Sequence, residues 1–133
     1  MAWPLTLMVA LTIKVAPGLL PAVVVAIGAW MPYLPQVNSV AWCLEDCPWE
    51  MQKYRSVGLW EEQTKTIYIR EGYPWPPDGL AITMIHEFGH ALGLEHSQEP
   101  KSVMYVDWTP PVGDRPTAQD YQNVRDAQEI PFD

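Results

Sequence analysis

Positive charge is scarce in this chain. Eight lysines and arginines stand against sixteen aspartates and glutamates, for a formal net charge of −8. Phosphate binding needs clustered Lys and Arg, so this balance argues against a nucleic-acid partner. Cysteine is scarcer still: Cys43 and Cys47 are the two, held in the segment Cys-Leu-Glu-Asp-Cys. In an exported protein they would close a small disulfide loop; otherwise they are two reduced thiols. They cannot be half of a cysteine-rich metal site, because no further cysteine accompanies them. Long uninterrupted apolar runs are missing as well. Lys14, Pro17 and Gly18 break the N-terminal run short of a membrane span. There is no internal repeat and no low-complexity tail. What remains, at 133 residues and 48% hydrophobic, is enough for one domain with a real core.

Histidine is equally sparse, and its placement is the most informative feature. All three histidines fall in the segment His86-Glu87-Phe88-Gly89-His90-Ala91-Leu92-Gly93-Leu94-Glu95-His96, the pattern H-E-x-x-H-x-x-G-x-x-H. On a helix, residues i and i+4 share a face, so His86 and His90 can bind one zinc ion together. Glu87, one residue on, can reach a water on that metal. Gly93 tolerates the left-handed backbone that ends a helix sharply, which would bring His96 back as a third ligand. Three neutral nitrogens and an open fourth position are the mark of a catalytic rather than a structural zinc.

Around this motif the chain reads as short elements separated by proline-rich loops. Leu5, Leu7, Val9, Leu11, Ile13 and Val15 alternate with Thr6, Met8, Ala10, Thr12 and Lys14, a period of two that predicts a strand. A signal segment is the competing reading, but no Lys or Arg precedes the run, so no export signal is expected here. Leu20 to Met31 has helical spacing with Pro21 in its first turn, and Pro32 and Pro35 end it. Val37 to Trp42 and Ser56 to Trp60 are candidate strands, and Thr66 to Arg70 is a clear one. Pro76-Pro77-Asp78-Gly79 is a turn in which Asp78 can cap a helix running from Leu80 to Leu92. A last helix starts at Thr117, with Asp120 three residues on in the manner of a capping box.

With these residues in hand, the chain resembles the metzincin zinc peptidases, and within them the matrixins, peptidase family M10. Ser97 follows the third histidine directly, as is common in matrixins. Val103-Met104-Tyr105 resembles the Met-turn, whose methionine underlies the metal. The residue two positions after that Met is Val106, where astacin-like relatives place a metal-binding Tyr. The specific match covers about residues 80–108.

The resemblance implies an α+β, zincin-like fold: a small twisted mixed β-sheet, an N-terminal helix, an active-site helix, a Met-turn and a C-terminal helix. It implies one catalytic domain, with an N-terminal subdomain over about residues 1–93 and a C-terminal one over about residues 94–133. It also implies a zinc-dependent endopeptidase: His86, His90 and His96 as ligands, Glu87 as the base that takes a proton from a zinc-bound water, and peptides or proteins as substrates. Met104 and Asp120 would support the Met-turn. The strand of Ile67, Tyr68 and Ile69 would be the sheet edge that pairs with substrate. Tyr105, Val106 and Trp108 would wall a pocket for a hydrophobic residue on the amine side of the cleaved bond. Relatives of this kind suggest an extracellular, monomeric protein.

Departures from the large animal matrixins are also visible. Once the ligand triad is assigned, no histidine is left for their structural zinc, and their Gly- and Asp-rich loop is not seen, which leaves calcium open. No Pro-Arg-Cys-Gly switch is present, and an acidic position of the family is Gln119 here. One cysteine acting as an inhibitory zinc ligand is a minor alternative. The competing function is a non-catalytic, zinc-stabilised peptide-binding module, against which the intact Glu87 argues. A zinc-binding interaction domain is a third.

Overall fold

A computed structural model describes residues 5–106 and 113–128 of the chain. The N-terminal segment departs from the expected strand. Leu5–Ala10 forms helix α1, and only Lys14–Val15 is extended, as strand β1. The same run that alternates also carries Thr6, Val9, Ala10 and Ile13 at helical spacing, and this second pattern is the one buried. Ala10 is inaccessible and Ile13 is nearly so, while Leu5, Met8 and Leu11 are more than half exposed. Leu, Met and Ala also favour helix. Docking on the next helix therefore overrides the alternation.

That next helix, α2, spans Leu20–Trp30 with Pro21 in its first turn, and buries Ala22, Val23, Ala26, Ile27 and Trp30. Strand β2 is Ser39–Cys43, β3 is Gly58–Glu61 and β4 is Thr66–Arg70, and the sheet order is β1-β2-β4-β3. The first three in that order run parallel, and β3 closes the sheet antiparallel to β4. The expectation that β4 is the edge is therefore corrected: the antiparallel edge is β3. The turn between the two strands folds β3 back over β4's free side, and Ile67 and Ile69 end fully buried in the core. Helix α4, Gly79–Ala91, packs along α2 and also meets β3. Asp78 occupies its cap position in a left-handed conformation (φ 61°) without a side-chain cap bond.

Between β2 and β3 lies a short helix that the sequence reading missed, α3, Trp49–Tyr54. Cys43 and Cys47 are joined in a disulfide, which removes both as thiol ligands. They form a small second core with Met51, against which Leu59 and Tyr68 pack. Arg70 fastens the far end of α3, donating from Nη2 to the Met51 carbonyl at 2.8 Å and from Nε to the Ser56 carbonyl at 2.9 Å. The last helix, α5, is Ala118–Gln128. Its capping box is reciprocal: Asp120 N–H donates to Thr117 Oγ1 at 3.1 Å and Thr117 N–H to Asp120 Oδ2 at 2.8 Å.

A disulfide across so short a loop removes roughly 2 kcal/mol of chain entropy from the unfolded state. Replacing both Cys43 and Cys47 with alanine should lower the unfolding free energy obtained from chemical denaturation by about that amount. Hydrogen exchange should rise first in Trp49–Tyr54.

Candidate metal centre and cleft

Helix α4 presents His86 and His90 one turn apart, with their Nε2 atoms 3.2 Å from each other. Each ring's other nitrogen meets a backbone carbonyl at 2.7 Å: His86 Nδ1 at Val103, His90 Nδ1 at Leu94. A carbonyl only accepts, so each Nδ1 must carry the proton and donate. Both Nε2 atoms of the neutral rings then present bare lone pairs. At 3.2 Å these repel unless a cation lies between them. Zn–N bonds of about 2.0–2.1 Å in a tetrahedral site put neighbouring nitrogens about 3.3 Å apart, so this pair fits one zinc ion. The outer hydrogen bonds fix tautomer and ring orientation, as metal-ligating histidines require.

His96 completes the set. Gly93 takes φ +99°, and Leu94 N–H donates back to the Gly89 carbonyl at 3.0 Å. That turn reverses the chain and brings a ligand nitrogen of His96 to within 4.8 Å of those of His86 and His90. Burial pushes the His86 pKa down to about 4, helped by repulsion from His90 and His96 and opposed by the Val103 carbonyl. His90 is also lowered, chiefly by burial. Both are therefore neutral, ligand-ready imidazoles at ordinary pH.

The Met-turn lies directly beneath. Met104 is 1% exposed, and Ser97 N–H donates to its carbonyl at 2.9 Å. A Cβ on Gly89 would meet Met104 Sδ at 2.3 Å and Trp30 Cζ2 at 2.9 Å, so only glycine between the two histidines lets both pack this closely. Asp120 supports the turn through Ser102, a residue the sequence reading did not single out. Ser102 Oγ lies 2.9 and 2.7 Å from the two Asp120 carboxylate oxygens, and Met104 N–H donates to Ser102 Oγ at 2.9 Å. Ser102 and Asp120 are both buried. No local pattern marks such a serine, because its partner is 18 residues away and meets it only in the folded chain.

The histidines open into a cleft of about 880 Å³, lined among others by Gly58, Leu59, Trp60, Glu87, Tyr105 and Val106. Ile67, Tyr68 and Ile69 do not line it; they sit one strand further in. Trp108 lies outside the described residues. Arg70 N–H donates to the Val57 carbonyl at 2.9 Å, which turns Val57 and Leu59 towards β4. By antiparallel alternation, the backbone groups of Gly58 and Trp60 face the cleft. Glu87 lies against that edge: a Cβ on Gly58 would be 3.1 Å from Glu87 Oε2. Burial pushes the Glu87 pKa up to about 8, and the backbone N–H of Trp60 opposes the shift.

The matrixin family model matches residues 34–128. A probable matrix metalloproteinase of Invertebrate iridescent virus 3 is 51% identical over 47 residues, covering 34% of this chain and 12% of that protein. Human matrix metalloproteinase-25 is 39% identical over 66 residues, 50% of this chain and 11% of that protein. The chicken 72 kDa type IV collagenase is 33% identical over 75 residues, 54% of this chain and 11% of its own length. The matched region is thus about a tenth of these relatives. No solved structure matches the chain significantly.

Two outcomes test the centre without turnover. Ser102→Ala leaves the Asp120 carboxylate and the Met104 N–H short of a partner, and should cost about 2–4 kcal/mol in denaturant melts. It should also weaken zinc binding about tenfold by loosening the Val103 carbonyl. The second concerns pH in the metal-free protein. The depressed histidines contribute stability above pH 6.5 that is lost as pH falls towards 4. The raised Glu87 contributes stability below pH 4.5 that is lost as pH rises through 8. Metal-free Glu87→Gln should therefore melt several degrees above the parent at pH 8, and level with it at pH 4.

Proposed function

The chain belongs to the matrixin family, and we propose that it is a zinc-dependent metalloendopeptidase with Glu87 as its general base. The observation that carries this reading is a buried carboxylate placed beside three converging imidazoles, in a cleft bounded by an unpaired sheet edge. His86, His90 and His96 would hold the metal. A bound zinc ion supplies a Lewis acid that acidifies water and polarises a carbonyl. Glu87 takes the proton of the attacking water and delivers it to the leaving amine. Its burial strengthens its hold on that proton, and the leaving amine, being more basic still, can take the proton from it. The Trp60 N–H orients the carboxylate, and Gly58 gives it room to lie against β3.

Substrate binding falls to β3 rather than β4. An extended peptide can add to the edge through the outward backbone groups of Gly58 and the carbonyl of Trp60, whose N–H is turned to Glu87. Tyr105 and Val106, just after the Met-turn, would contact a hydrophobic side chain on the amine side of the cleaved bond. The Cys43–Cys47 disulfide favours an extracellular, oxidising setting. Among the described residues no helix is long and apolar enough to cross a membrane.

The test is hydrolysis of a quenched fluorescent peptide pool by the zinc-loaded protein and its Glu87→Gln form. The parent should turn over and the variant should lose at least about 10²-fold in kcat with one zinc still bound per chain. Zinc binding with no turnover by the parent would point instead to a metal-stabilised peptide-binding module.

A further inference from the structure

One end of the cleft carries a charge that the reaction does not use. Arg55 lines the cleft immediately before β3, and its guanidinium makes no hydrogen bond or ion pair with any described residue. Other cations are engaged: Arg70 on backbone carbonyls, Lys65 on Glu62 at 2.5 Å, Lys53 over the rings of Trp49 and Tyr54. The backbone of Arg55 is held in place, and its side chain is exposed. The residue caps α3 in the left-handed region at φ 54°, with its N–H donating to the Met51 carbonyl. Glycine is the residue that position ordinarily favours. The base beneath it is the disulfide core of Cys43, Cys47 and Met51.

Charge along the cleft is therefore graded. Its described acidic lining residues are Glu87, at the metal centre, and Glu62, just beyond the opposite end of β3. A peptide that adds antiparallel to β3 has its C-terminal part at the Arg55 end and its N-terminal part at the Glu62 end. Arg55 stands three positions before Gly58, where Glu87 sits. At about 3.3 Å per residue that is roughly 10 Å, or two to three residues of extended substrate.

We infer that Arg55 forms a carboxylate subsite for the second or third residue on the C-terminal side of the cleaved bond. This placement rests on the endopeptidase reading. The carboxylate can come from an Asp or Glu side chain, or from the C-terminus of a short peptide. The chain would thus discriminate in favour of acidic sequence after the bond, although its own net charge is −8.

The experiment compares peptides differing only by Glu or Gln at those two positions, each with a free or an amidated C-terminus, at low and high salt. The parent should favour Glu in kcat/KM by about 3–5-fold at low salt, the size of one exposed ion pair, and less at high salt. Arg55→Gln should bring the ratio to one, and Arg55→Glu should turn it over in favour of Gln. A free-acid preference with no Glu preference would assign the subsite to the chain terminus. Parent ratios of one in every series, or a ratio unmoved by the Arg55 variants, would overturn the inference while leaving the endopeptidase reading intact. If the parent cleaves none of the peptides, that reading fails instead. Anisotropy binding of the same peptides to zinc-loaded Glu87→Gln protein then decides: Arg55-dependent preference for the carboxylate supports the subsite, and equal or absent binding overturns it.

Discussion

Two bare imidazole lone pairs 3.2 Å apart set the terms for the rest of this structure. The arrangement is repulsive by itself and favourable around a cation. The fold holds it open by taking the other nitrogen of each ring into a hydrogen bond with a carbonyl. One carbonyl, of Leu94, lies in the turn that Gly93 makes possible. The other, of Val103, belongs to the Met-turn. The Met-turn is in turn fixed by the Asp120–Ser102–Met104 chain and by its fit against Gly89 and Trp30. Metal binding and the packing of the C-terminal part are therefore two aspects of one interaction.

Glu87 is the second strained element. A carboxylate at 6% exposure is held where its charge is disfavoured. Its backbone donor from Trp60 offsets only part of that cost. A purely structural metal site would gain nothing from such a group. A site that must move a proton gains a base poised near neutral pH. The close approach depends on Gly58, because a side chain there would meet both Thr83 and Glu87.

The sheet edge links this chemistry to the surface. β3 lies between the metal centre on one side and, through Leu59, the disulfide core on the other. The Cys43–Cys47 loop and α3 thereby act on the cleft without touching the metal. In a chain of this size, a covalent staple under a cleft wall adds to what the core supplies.

The shared face of His86 and His90, the adjacent Glu, the limits of α4 and the capping box of α5 were legible in the chain because each is a local, helical relation, and His96 was legible through the Gly93 turn that follows the helix. Spacing of three or four residues fixes what shares a face, whatever else the protein does. The Met-turn was legible by resemblance, and α2 by its periodicity and its prolines. Other features needed the folded chain. Residues 5–10 carried both strand and helix periodicities, and packing against α2 chose between them. Thr66–Arg70 was correctly a strand, but strand sequence does not state which neighbour it will gain, so its place inside the sheet and the edge role of Gly58–Glu61 were decided by pairing. Ser102 became important only when Asp120 arrived beside it. Sequence by itself determined which atoms can bind the metal, since that follows from local geometry. Tertiary structure decided which backbone faces the substrate, since that follows from contacts between residues distant along the chain.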